Sequence, residues 1–399
     1  MSLKTNEKFY EILKVIISIN IILFLSRGSY AYFPTEILYI LTLAYFILII
    51  YKDGIKQYLK IIYIFPLIGT MLLLILYKFS GQFSLLMISV EVLMYLLLYN
   101  IFINLKTSEK YFKMILIILI TEIVLTCIHT NFIYFTVPNI SRTLASKSIL
   151  DLINYSQFDG FVHYLVGGYG FSYALPMLAL TSLHLSIRKN KLYIVLFLLF
   201  FITIIRAKYL IALVGFIFST LIYIMFILKE YFDFKKIIIF GFSILLVILS
   251  LLVINYNYEF LYNIYIERVN GIFDFILNKD VVSSNDVYLR LEVYKNSLIG
   301  IVDTPFIINF NNVILGGHST ILDLIAVLGI FSITIFYFLF NSLKNVYMYI
   351  DDNDKYLYLS LIIYLVFVLL FNPTLVFEIA IAMYIIIPLM VKVSNFNDN

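Results

Sequence analysis

The sequence predicts an all-α polytopic membrane protein, and three observations carry that prediction. Hydrophobic residues make up 63% of the 399 and charged residues 13%, with a mean hydropathy of +1.00. A water-soluble domain of this composition would lack the polar surface needed to cover its core. The apolar residues gather in about twelve runs of helical length that lack the alternation of barrel strands. Between those runs, clusters of lysine occupy every second connection, the topology signal of cytoplasmic loops.

The expected spans are centred on residues 15–25, 35–51, 61–76, 85–105, 114–128, 171–187, 192–205, 209–228, 237–254, 321–340, 356–371 and 375–391. Residues 1–399 read as a single integral membrane domain. Each span must satisfy its own backbone in the absence of water, so each is expected to be a helix. Lys4, Lys8 and Lys14 precede the first run, and Ser29-Tyr30-Ala31 has the small-residue look of a cleavage site. A retained first span is expected, because eleven more follow and retention keeps both ends on one side.

Orientation follows from the connections. Lys52, Lys56 and Lys60; Lys106, Lys110 and Lys113; Arg188, Lys189 and Lys191; and Lys229, Lys235 and Lys236 place their loops, and both termini, in the cytoplasm. Of the 28 basic residues, 18 fall inside and 10 outside. The outer face then receives two long loops, 129–164 and 255–319. It also receives five of the six arginines: Arg27, Arg142, Arg206, Arg268 and Arg290. Those arginines run against the orienting bias, and the planar guanidinium fork suits bidentate binding of phosphate, so an anionic ligand is expected outside.

The remaining chemistry is sparse. The single cysteine, Cys127, permits neither an internal disulfide nor a cysteine metal cluster. There is no internal repeat and no Gly-rich nucleotide loop, which argues against cytosolic nucleoside triphosphate chemistry. Glu91 and Glu122 lie well inside spans four and five. They suit either an ion-coupled carrier or buried carboxyls paired with a tyrosine or another helix. The 34 tyrosines and 37 phenylalanines serve mainly packing and interfacial anchoring, with Tyr164 and Tyr169 on the outer side.

Four outer features stand out. The run 192–205 provides about 21 Å of helix at about 1.5 Å per residue, against a hydrocarbon core of about 30 Å. Its tip, Ile205-Arg206-Ala207-Lys208, must therefore sit below the surface, where two cations suit a bound anion or snorkel to the headgroups. In the long loop, polar Glu259, Asn263, Glu267, Asn270, Asp274 and Asn278 interleave at helical period with Leu261, Ile264, Val269, Ile272 and Ile276. That pattern predicts an amphipathic helix on the bilayer surface. A second helix is expected from the cap-rich Ser283-Ser284-Asn285-Asp286 to Gly300, carrying Arg290 either toward a ligand or into a surface pairing with Asp286.

Then comes Gly316-Gly317-His318-Ser319-Thr320, directly before the tenth span. Thr320 and Asp323 read as a capping pair. His318 precedes a helix N-terminus, whose dipole disfavours the imidazolium and keeps the ring able to accept a proton. The flanking glycines admit a ligand closely.

The segments Arg290-Leu291-Glu292-Val293-Tyr294-Lys295-Asn296-Ser297-Leu298, Gly316-Gly317-His318-Ser319-Thr320-Ile321-Leu322-Asp323 and Leu328-Gly329 resemble the Wzy-type polymerases of bacterial surface polysaccharides. More distantly they are similar to the O-antigen ligases, which share the long outer loop, a loop arginine and a histidine ahead of the next helix. Gly167-Gly168-Tyr169-Gly170-Phe171 also looks like a streptococcal-type polymerase segment. The sequence-specific part covers about fifty residues. Where ligase-like members often carry a Ser-Arg-Gly type hairpin tip, this chain has Ile205-Arg206-Ala207-Lys208, so the arginine matches and its neighbours do not.

The resemblance implies a GT-C-like, O-antigen ligase-like arrangement of about 12 transmembrane helices in a bacterial cytoplasmic membrane. It implies metal-independent glycosyl transfer without a cofactor, using undecaprenyl-diphosphate-linked oligosaccharide as both donor and acceptor. A flippase and a chain-length regulator are the implied partners, and nucleic acid is not one. Arg206, Arg290 and Lys208 would hold the diphosphate and His318 would take the proton from the acceptor hydroxyl. Ligation of finished polymer to another acceptor, and a flippase or exporter, remain as alternatives; a scaffold would not need charge at membrane depth.

Overall fold

The computed structural model describes residues 2–25, 35–53, 60–105, 109–135, 141, 166–230, 286–303, 319–372 and 375–396. The described residues are helical, with no strand among them. In chain order the helices are α1 (Ser2–Leu25), α2 (Thr35–Asp53), α3 (Ile61–Ser80), α4 (Phe83–Leu105), α5 (Glu109–Ile133), α6 (Tyr169–Arg188) and α7 (Tyr193–Ala207). They continue with α8 (Leu210–Glu230), α9 (Asp286–Asp303), α10 (Thr320–Leu328), α11 (Ile333–Tyr349), α12 (Lys355–Phe371), α13 (Phe377–Ile381) and α14 (Ile387–Phe396).

Among the described residues, eight helical stretches are long and apolar enough to cross a membrane, and Ile12–Ile22 and Tyr193–Ala207 are shorter apolar helices. The expected span at 35–51 is helical as α2, whereas 237–254 lies outside the described residues. Two expected spans are interrupted. The tenth bends where Gly329, at φ 53, opens a 3₁₀ turn over Gly329–Ser332 before α11. The last passes from α13 through a π-helical turn, Ala382–Ile386, into α14.

Burial does not follow hydropathy. The least apolar of the crossing helices, α6, is 89% buried along its span, whereas the more apolar α8 is 33% buried. Lipid is as apolar as leucine, so a helix gains little by hiding its most apolar face and packs inward through small and weakly polar residues. Helix α6 offers Gly170, Ser172, Ala174, Ala179, Thr181 and Ser182, all buried, and packs against α7, α8, α12, α13 and α14. Large apolar side chains such as Ile40, Leu43, Met71, Ile117 and Met225 face outward. At the α3–α11 contact Gly69 allows close approach: a Cβ there would come within 2.6 Å of Ile335 and 2.8 Å of Thr334.

Two boundaries differ from those expected. Helix α5 continues through Ile133, so the start of the segment read as loop 129–164 is helical. Helix α9 begins at Asp286, where the Ser-Ser-Asn-Asp run placed it, but ends at Asp303 rather than Gly300.

Candidate functional site

The short hairpin is present. Helix α7 has 15 residues, or about 22 Å of rise. It closes on Lys208, the one non-glycine positive φ (61°) among the described residues. This left-handed conformation costs a residue with a Cβ about 1–2 kcal/mol. Here it turns the chain into α8 within two residues and leaves Lys208 3% exposed.

Arg206 is fixed by the end of α5. Its Nη1 donates to the Asn131 carbonyl at 3.0 Å, and its guanidinium lies 4.3 Å from the Phe135 ring centroid and 5.4 Å from that of Tyr134. The last carbonyls of a helix lack intrahelical partners and form the negative end of its dipole, which accounts for a cation there. The Asn131 side chain donates to Thr203 Oγ1 at 2.6 Å, joining α5 to α7. The Arg206 Nε and Nη2 make no hydrogen bond to other described residues. One nitrogen anchors the fork and its other edge remains available to an anion.

A hydrogen-bonded shelf lies behind the tip. Tyr134 donates to Ser141 Oγ (2.6 Å), Ser141 to the Gly167 carbonyl (2.6 Å), and the Gly167 amide to Thr130 Oγ1 (2.8 Å). Burial holds the Tyr134 phenol above its ordinary value, so it serves as a neutral donor. Tyr209, beside Lys208, donates to the Ser141 carbonyl at 2.8 Å. Its ring meets those of Tyr169 and Tyr173 with centroids 5.5 Å apart.

From that tyrosine cluster the contacts lead to α10 and α9. Asn372, at the end of α12, donates from Nδ2 to the Tyr173 hydroxyl. Its carbonyl accepts from the Thr320 amide (3.3 Å) and hydroxyl (3.2 Å). Tyr294 of α9 donates to the Phe371 carbonyl at 2.6 Å, and Ser297 donates to Asp323 Oδ1 at 2.7 Å. The Thr320–Asp323 capping pair is therefore corrected. Ser319 is the N-cap, accepting from the Leu322 amide at 3.1 Å. The Thr320 hydroxyl is drawn to Asn372 and the Asp323 carboxylate to α9, contacts that no local pattern encodes.

Of the expected site residues, Arg206 and Lys208 lie at this end of the bundle. Arg290 belongs to α9, whose Tyr294 and Ser297 dock at the same end, although the Arg290 side chain lies outside the described residues. His318, two positions before Thr320, and the amphipathic run from Glu259 also lie outside them. Sequence reasoning missed Asn131, Tyr173, Ser297 and Asn372. The usable signal was an asparagine near the end of each of two apolar runs, at 131 and 372.

Two further polar groupings lie elsewhere. Near the opposite end, His184 bridges Tyr223 (Nδ1 to Oη, 2.6 Å) and Asp354 (Nε2 to Oδ1, 2.6 Å), linking α6, α8 and the turn before α12. Within the bundle a cavity is lined by Glu122 and Thr126 of α5, Phe171, Ala174 and Leu178 of α6, and Glu378 of α13.

The described residues define a helical, multi-span membrane protein with a cationic and aromatic polar cluster at one end. No family model, curated protein or solved structure matches the chain.

Proposed function

We propose that the protein is a membrane glycosyltransferase that polymerises undecaprenyl-diphosphate-linked oligosaccharide repeat units on the outer face of a bacterial cytoplasmic membrane. The supporting observation is the meeting at one end of the bundle of the Arg206–Lys208 tip, the tyrosine cluster, helix α9 and the start of α10. That end is the lysine-poor one, assigned outside by the positive-inside pattern, with both termini inside.

In this reading Arg206, Lys208 and Arg290 hold the donor diphosphate. The acceptor hydroxyl attacks the anomeric carbon, its proton passes to His318, and the carbon–oxygen bond to the diphosphate breaks. The departing negative charge stays with the carrier, neutralised by the guanidinium and ammonium groups. A single displacement of this kind inverts the anomeric centre. A flippase that delivers the repeat units and a chain-length regulator are the partners this reaction calls for.

The test is a reconstituted assay with a defined polyprenyl-diphosphate oligosaccharide, reading polymer length and released carrier. His318→Ala should slow transfer by about 10²–10⁴ and leave lipid-diphosphate binding intact. His318→Gln polymerising at the parent rate would remove histidine from the proton's path. A second reading, ion-coupled export of polysaccharide, is favoured by the carboxylate-lined cavity. It predicts movement of a preformed lipid-linked glycan across the vesicle membrane with no new glycosidic bond.

A further inference from the structure

A feature independent of the transferase reading lies deeper in the bundle. The cavity between α5, α6 and α13 is lined almost wholly by apolar surface, although Glu122, Thr126 and Glu378 lie along its wall. Each helix contributes at its own period. Leu119 and Ile123 of α5 are four residues apart, and Phe171, Ala174 and Leu178 of α6 are three and four apart, so each set shares one face. Ile381 and Ile386 are five apart and share a face because the turn that follows α13 is π-helical, with i to i+5 hydrogen bonds. Ala174 stands midway along the α6 wall, a small side chain between two large ones.

The cavity has a direction and a mouth. Its upper end lies directly beneath the hydrogen-bonded shelf: the Phe171 ring is pressed against Gly167, where a Cβ would come within 2.2 Å of it, and Gly167 is bonded to Thr130 and Ser141. From Phe171 to Leu178 the cavity follows α6 for seven residues, about 10 Å toward the membrane interior. Its space, mouth included, is about 500 Å³, within the range of about 300–1,000 Å³ typical of ligand pockets. Leu119, Leu178 and Ile386, at the inner end, are buried. Glu122 is only half-buried, and Ile118 and Leu125, one turn to either side of it on α5, are 36% and 57% exposed. On that side the cavity meets hydrocarbon rather than water.

We propose that this cavity binds one acyl chain of a bilayer phospholipid, drawn from the leaflet on the Arg206 side and entering past Glu122. Water there would lack the polar partners it needs, and apolar cavities stay dry and accept apolar guests. Left empty, the lining forfeits dispersion contacts on one side. A chain arriving from the bilayer restores them without leaving an apolar medium. None of the polar groups on the wall is a cation, so the site offers nothing to a phosphate or diphosphate head and selects for the chain itself. A narrow slot bounded by three helices admits an extended chain and excludes a fused ring system.

The test uses the full chain in detergent micelles with a phosphatidylcholine that carries a diazirine at mid-chain. Photolysis and peptide mapping should mark residues 119–126, 171–178 and 381–386, saturably, with competition from unlabelled phosphatidylcholine and none from undecaprenyl phosphate. Displacement by undecaprenyl phosphate at lower concentration than by the phospholipid would assign the cavity to an isoprenoid chain and overturn the proposal. Ala174→Phe places a ring midway along the slot and should abolish marking of the lining while leaving that of outward-facing residues such as Met71 and Met225. Unchanged marking of the lining in folded Ala174→Phe overturns the site. So does parent marking confined to outward-facing residues, a result that stands whether or not the variant folds. Glycosyl transfer is read separately, so its failure does not bear on this outcome.

Discussion

Replacing Arg206 separates a ligand-binding guanidinium from a merely structural one. In the structure one nitrogen, Nη1, holds the Asn131 carbonyl and the plane rests 4.3 Å from the Phe135 centroid. The structural share is therefore one charge-assisted hydrogen bond at a partly exposed site and two cation–aromatic contacts, to Phe135 and Tyr134, each worth about 0.5–1 kcal/mol. The ligand share is at least one further charge-assisted bond, about 1.5–3 kcal/mol, which at 1.4 kcal/mol per decade is about 10- to 150-fold in rate.

Lysine retains charge but cannot hold Asn131 and a phosphate oxygen in one plane, so Arg206→Lys should lose nearly as much activity as Arg206→Ala. Phe135→Leu removes only the stacking contact and should reduce transfer less than about threefold. The assay is polymer yield in proteoliposomes, normalised to folded protein, with carrier-diphosphate affinity measured in parallel. Parent-rate polymerisation by Arg206→Lys at parent protein levels would refute the ligand role and leave Arg206 as a clamp on the end of α5.

Other outcomes follow from single contacts. Replacing His184 by Ala removes its hydrogen bonds to Asp354 and Tyr223, both almost fully buried, and should destabilise the bundle by about 1–3 kcal/mol in mixed-micelle unfolding; a change under about 0.5 kcal/mol would show these bonds to be dispensable. Gly69→Ala drives a methyl into Ile335 and Thr334 and should cost about 1–3 kcal/mol by the same measurement. Ser297→Ala removes the bond to buried Asp323 and should cost about 1–3 kcal/mol, read also as faster proteolysis of α9. Cysteines introduced at Ser156 and Ser284 should react with an impermeant reagent in intact cells and one at Ser108 should not; protection of both outer sites would reverse the topology and remove the outer-face reaction with it.

Sequence alone determined the helices, because a segment crossing lipid must satisfy its backbone internally and advertises itself by a long apolar run. Among the described residues eight such stretches appear where the runs lie, the hairpin is short because its run is short, and α9 starts at Asp286, the last residue of the cap-rich run. The short apolar run that ends at Arg206 and Lys208 was legible for the same local reason. Tertiary structure decided what each helix faces. Lipid and protein interior are equally apolar, so hydropathy does not say that α6 is central or that α8 lies at the edge. Asn372 finds Tyr173 across 199 positions, His184 finds Asp354 across 170, and Asp323 turns from capping its own helix to holding Ser297. Glu378 comes to share a cavity with Glu122 in the same way. In a medium without water each polar group takes whatever partner packing brings within reach, and packing depends on all the helices together.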